Sequence, residues 1–78
     1  MVGQKIRKER EKRGWSQNDL AKLLQVSRQT ISKWETESAY PDVERLMQLS
    51  DLFEISLDAL IRDREVSAKK LRVQRART

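Results

Sequence analysis

The side chains with the most chemistry to offer lie between positions 27 and 36. Arg28, Gln29, Ser32 and Lys33 stand at i, i+1, i+4 and i+5, which puts all four on one face of a helix. That face would carry two cations, an amide and a hydroxyl, and no acid. Such groups hydrogen-bond to phosphate oxygens and to the edges of bases, and an amide like that of Gln29 can pair bidentately with adenine. A cation such as Arg28 in the first turn of a helix is unfavourable by roughly 0.3 kcal/mol or more, which asks for a functional reason. Catalysis has far less material. The chain has no histidine, no cysteine, no phosphate loop and no shielded pair of carboxylates. That removes the commonest general base, nucleophile–base pairs and zinc sites built from His and Cys. Asp42, Asp51 and Asp58 do not have the spacing of a metal loop. The sequence therefore predicts neither an enzyme nor a cofactor or metal.

The elements that must position these groups come from a short chain. Seventy-eight residues at 37% hydrophobic content make one domain at most, with a marginal core that gains from oligomerisation. Without cysteine there is no disulfide, no apolar run is long enough for a membrane span, and Met1–Arg7 lacks the apolar region of a signal peptide. A cytoplasmic location is expected. The net charge of +5 points to an anionic partner. Divided along the chain, residues 5–13 carry +4, residues 62–78 carry +5 and residues 14–61 carry −4. The surplus lies in the flanks.

Helix signals recur at short intervals. Gly3 and Gly14 bracket good helix formers from Gln4 to Arg13. The thin apolar content there, essentially Ile6, predicts a surface helix held by few contacts, with Gly14 in the left-handed conformation at its end and Trp15 packing back beneath it. Ser16 with Asp19 resembles a capping box for a two-turn helix through Leu24. Gln25-Val26-Ser27 interrupts it, and Ser27 caps a helix over Arg28–Glu35 whose inner face is Ile31 and Trp34. Thr36 to Tyr40 reads as a loop. Pro41-Asp42 opens the most apolar helix, with Leu46, Leu49, Leu52 and Phe53, and Ser56 caps a last short one with Leu57, Leu60 and Ile61. No segment alternates like a strand, so the expectation is all-α: a compact five-helix bundle over residues 1–62. Residues 63–78 are a basic tail or an extra helix used in dimer packing.

The two short helices joined by Gln25-Val26-Ser27 have helix-turn-helix spacing, with a small residue, Ala21, where they cross and the buried aliphatic Val26 after the turn. The string Ser16-Gln17-x-x-Leu20-Ala21-x-x-Leu24-x-Val26-Ser27-Arg28-Gln29-Thr30-Ile31-Ser32-Lys33-Trp34-Glu35, followed by Pro41-Asp42 and Ile55-Ser56-Leu57-Asp58-x-Leu60, resembles the Xre/Cro/C1 class of phage-repressor-like helix-turn-helix domains. The resemblance implies a lambda-repressor-like fold whose third helix enters the major groove, and dimeric binding to a pseudo-palindromic operator on double-stranded DNA, as a repressor does. It implies base contacts from Arg28, Gln29, Ser32 and Lys33, and backbone contacts from Gln17, Ser27, Thr30, Thr36 and Tyr40. Two positions depart from the family pattern. Gln25 replaces a glycine at the turn and must tolerate positive φ, and Glu37 replaces a glycine after the third helix, bringing an acid near DNA.

Four base-reading side chains at roughly 1–3 kcal/mol per good contact discriminate too little alone, so two half-sites are expected. Ile55, Leu57 and Ile61 are candidates for the two-fold interface. Lys5, Arg7 and Arg10 could add phosphate contacts, or pair at i,i+4 with Glu9 and Glu11. The competing class is a protein-binding module, an antitoxin or adaptor on the same fold, which would engage its partner through residues 62–78.

Overall fold

The computed structural model describes residues 2–62. They form five helices and no strand: α1 (Val2–Lys12), α2 (Gln17–Leu24), α3 (Arg28–Glu35), α4 (Val43–Phe53) and α5 (Leu57–Arg62). The five-helix, all-α expectation is met. The expected tail or extra helix over 63–78 lies outside the described residues.

Three of the four junctions use one device written three times in the sequence: Gly14-Trp15-Ser16, Gln25-Val26-Ser27 and Glu54-Ile55-Ser56. The first residue takes a left-handed φ of 72°, 61° and 58° respectively. In each case it and the next residue donate their amides back to the preceding helix, as in Trp15 N to the Arg10 carbonyl at 3.2 Å and Val26 N to the Ala21 carbonyl at 2.9 Å. This Schellman arrangement satisfies carbonyls that a helix end otherwise leaves unpaired. The second residue is apolar and partly buried against the core. The third is a serine whose hydroxyl caps the next helix, accepting from Asp19 N at 2.9 Å, Thr30 N at 3.2 Å and Ala59 N at 2.9 Å. Ser16 and Asp19 complete a reciprocal capping box. The Asp19 carboxyl accepts the Ser16 backbone N–H, which holds it below the usual carboxylate range. Asp42 performs the same capping for α4 after the longer loop.

The core forms where the inner faces meet. Ile6, Leu20, Ile31, Leu49, Phe53 and Leu60 are each at most 1% exposed. Trp34 joins them at 4%, as the apolar pattern of α3 required. Trp15 stacks on Phe53 with ring centroids 6.3 Å apart.

Helix α1 departs from expectation. It is a central element packed against α3, α4 and α5, with Val2, Gly3, Ile6, Glu9 and Arg10 buried. It also starts two residues earlier and runs through Gly3. That glycine marks a close approach: a Cβ built there would lie 2.3 Å from the Trp34 carbonyl oxygen and 3.0 Å from that of Glu35. Two charged residues take the place of the missing apolar ones. Arg10 forms a two-pronged pair with Glu35, at 2.7 and 3.1 Å, and donates to the Trp15 carbonyl at 2.8 Å. Glu9, 2% exposed, accepts from Arg13 at 2.8 Å and Lys12 at 3.3 Å and pairs with Lys5 at 3.2 Å. Arg13 reaches on to the Phe53 carbonyl at 2.6 Å, capping the end of α4. No buried side-chain polar atom among the described residues is left without a partner.

Candidate nucleic-acid interface

Helix α3 has two faces with separate tasks. Ile31 and Trp34 enter the core and Glu35 anchors Arg10. Arg28, Gln29 and Lys33 stand exposed on the other side, with Ser32 half-buried at its margin. Among the described residues neither Arg28 nor Lys33 forms an ion pair. Two cations and an amide are therefore presented together, uncompensated, from a helix whose position is fixed from behind.

The polar groups around this face are partly engaged already. Gln17, at the start of α2, donates to Glu35 Oε1 at 3.1 Å and accepts from Arg28 Nη1 at 3.4 Å. A hydrogen-bonded line thus runs from Arg28 through Gln17 and Glu35 to Arg10, tying the first residue of α3 to α2 and its last to both α1 and α2. Ser27 accepts the Thr30 amide and shares a 2.9 Å contact with the Thr30 hydroxyl, so both hydroxyls sit at the N-terminal end of α3. The Thr36 hydroxyl donates to the Ser32 carbonyl at 3.0 Å and meets Ser38 Oγ at 3.0 Å, closing the other end. Tyr40 is 63% exposed beyond that loop.

Both departures from the family pattern have a structural form. Gln25 adopts the left-handed conformation required of it, and so does Glu37 at φ 64°. The Glu37 side chain lies along α1, its Cγ 2.9 Å from where a Gly3 Cβ would sit. Glu54 takes the same conformation at φ 58°.

The cationic flank of residues 5–13 is largely consumed by the fold. Arg10 is turned inward to Glu35, which removes it from the set of phosphate-binding candidates. Arg7 pairs with Glu11 at 3.1 Å, and Lys5, Lys12 and Arg13 converge on Glu9. Burial acts to raise the Glu9 carboxyl, and the hydrogen bonds from Arg13, Lys5 and Lys12 outweigh it, leaving it below 4.5. The Glu35 hydrogen bonds push the Arg10 guanidinium upward, against the cost of burying it. Of the two-fold interface candidates, Ile55 is half-buried against its own chain's core, whereas Leu57 and Ile61 are 36% and 40% exposed on α5. No helix among the described residues is long and apolar enough to cross a membrane.

Residues 6–60 match the family model described as helix-turn-helix. The chain is similar to the HTH-type transcriptional regulator ImmR of Bacillus subtilis (strain 168), with 32% identity over 68 residues covering 87% of this chain and 54% of that protein. It is also similar to the HTH-type transcriptional activator BcrR of Enterococcus faecalis, 36% identical over 81% of this chain and 31% of that protein. A third relative is Repressor protein C2 of Salmonella phage P22, 36% identical over 80% of this chain and 29% of that protein. The chain thus spans between about a third and about half the length of these relatives.

Proposed function

The chain belongs to the helix-turn-helix family, and from that premise we propose that it is a sequence-specific DNA-binding transcriptional regulator, a repressor that binds a pseudo-palindromic operator as a dimer. The observation that carries this reading is the outward face of α3, where Arg28, Gln29 and Lys33 are exposed together with no acid paired to the cations among the described residues. In the major groove, Arg28, Gln29, Ser32 and Lys33 read base edges, while Gln17, Ser27, Thr30, Thr36 and Tyr40 line the flanking phosphates. The α2 and α3 N-termini add backbone amides and positive dipole ends to the same phosphate line. Exposed Leu57 and Ile61 on α5 supply apolar surface for the two-fold contact, with Ile55 behind them.

Selection of bound duplexes from a random pool tests the reading. The expected product is a pair of inverted half-sites whose centres lie about one helical turn, or a multiple of it, apart. Gln29→Ala is expected to relax preference at one base position and to cost about 1–3 kcal/mol. A pool that shows no enrichment, or a preference unchanged by Gln29→Ala, would refute it.

A further inference from the structure

The side-chain amide of Gln17 lies between two groups of opposite hydrogen-bonding character. Its Nε2 donates to Glu35 Oε1 at 3.1 Å, and its Oε1 accepts from Arg28 Nη1 at 3.4 Å. A glutamine amide can usually be turned either way round. Here a carboxylate can only accept and a guanidinium can only donate, so both neighbours require the same orientation. Turning the amide over would set its oxygen against Glu35 and its N–H groups against Arg28. Glu35 is itself fixed, its side chain 4% exposed and held by Arg10 at 2.7 and 3.1 Å. We propose, on the basis of the DNA-binding reading, that Glu35 is a positioning residue for base selection. Through Gln17 it sets where the Arg28 guanidinium stands before DNA arrives, although its own side chain is enclosed by the fold.

Among side chains of this length, only an amide serves at position 17. An acid there would face Glu35, a cation would face Arg28, and an apolar side chain would leave both without a bridge. The amide keeps one N–H for a phosphate, and the guanidinium keeps enough donors for a bidentate pair with guanine. Arg28 is exposed and forms no ion pair among the described residues, where Gln17 is its one side-chain partner. A long side chain that is free in solution loses rotamer freedom when it meets a base, and one already held loses less. A held guanidinium also has a preferred position, so a base whose acceptors lie elsewhere is penalised. The side chains of Gln29 and Lys33 make no such bond among the described residues. Selection by Gln29 and Lys33 is therefore independent of Glu35.

Two variants of the 78-residue protein break the relay at different points. Arg10→Met with Glu35→Leu removes the acceptor for Gln17 and strands no charge. Gln17→Met removes the bridge and leaves the buried pair intact, so it answers alone should the pair replacement unfold. Each is put through selection from a random duplex pool, and Arg28→Ala identifies the base position that depends on Arg28. Both variants are expected to lower discrimination at that position by about 3-fold or more, and to leave the position read by Gln29 unchanged within about 2-fold. In an Arg28→Ala background neither should alter the base profile further. In isotope-labelled protein without DNA, the Gln17 side-chain amide signals are expected to shift and to exchange faster with solvent in the pair replacement. Unchanged base profiles overturn the proposal, as do profile changes that persist in the Arg28→Ala background or amide signals that stay in place. Weakening of all sequences by one common factor overturns it too, leaving Gln17 a phosphate contact only. A parent protein that enriches no sequence overturns the DNA reading and the selection role with it, and the amide signals, read without DNA, keep that failure distinct from failure of the relay.

Discussion

The pair between Arg10 and Glu35 makes the sharpest claim on stability. Their side chains are 11% and 4% exposed, and they join α1 to the end of α3 across 25 residues of sequence. Arg10→Met would remove two bonds to Glu35 and one to the Trp15 carbonyl, leaving a buried carboxylate with Gln17 as its one hydrogen-bond donor among the described residues. Stranding one member of a buried ion pair costs about 3–5 kcal/mol. A domain of this length has a total stability of only about 3–9 kcal/mol, from roughly 0.05–0.15 kcal/mol per residue. Arg10→Met should therefore consume a third or more of the total, and Glu35→Leu should do similar damage. The double variant removes both charges and both desolvation costs, so it should lie within about 1–2 kcal/mol of the parent. Urea unfolding followed by far-ultraviolet circular dichroism measures all four corners of the cycle. The exposed pair Arg7–Glu11, at 64% and 54%, provides the scale of an ordinary surface bridge, about 0–1 kcal/mol. The reasoning fails if Arg10→Met costs no more than Arg7→Met, or if the two single losses simply add.

Three other perturbations have definite signs. Gly3→Ala would improve helix propensity by about 1 kcal/mol in an open helix; here the Trp34 and Glu35 carbonyls leave no room, and we expect a net loss of about 1–3 kcal/mol, read as a lower urea midpoint. At Glu54, replacing a side chain held in the left-handed region relieves about 1–2 kcal/mol of strain, against about 0.5–1 kcal/mol of added backbone entropy in the unfolded chain. Glu54→Gly should therefore raise the melting temperature by a few degrees, and a fall would count against that balance. Glu9 has a folded-state pKa below the ordinary 4.5, so its contribution is complete above the unfolded value and is lost as pH falls through the folded one. Stability should decline as the solution is acidified below about pH 4.5, and Glu9→Gln should flatten that decline while lowering stability near neutrality.

What could be read from the chain follows physical range. Helix ends announce themselves locally: Ser16, Ser27, Asp42 and Ser56 each cap the amide three places on, and Ile31 with Trp34 marks the inner face of α3 within a single turn. The left-handed turn at Gln25 was readable for the same reason. That at Glu54 was equally so, since Glu54-Ile55-Ser56 repeats the pattern of Gln25-Val26-Ser27. The role of α1 could not be read this way. Its burial depends on partners 25 and 40 residues away, Arg10 with Glu35 and Arg13 with the Phe53 carbonyl. Periodicity treats arginine and glutamate as solvent-facing, so a helix whose inner face is charged looks like surface. Gly3 misleads in the same manner, as a helix breaker in sequence and a contact point in space. At the candidate interface, types and spacing located Arg28, Gln29 and Lys33, but not the bond that commits Gln17 to Glu35.

The two faces of α3 have a bearing on how such a chain can change over generations. Among the described residues, the side chains proposed to read bases and those that anchor the helix overlap in one link, the long hydrogen bond from Arg28 to Gln17. Gln29, Ser32 and Lys33 could each be exchanged without opening the core or unpairing a buried charge. New target preferences would therefore be reachable by single steps through fully folded intermediates, and a duplicated copy could diverge in what it reads while inheriting its architecture unaltered.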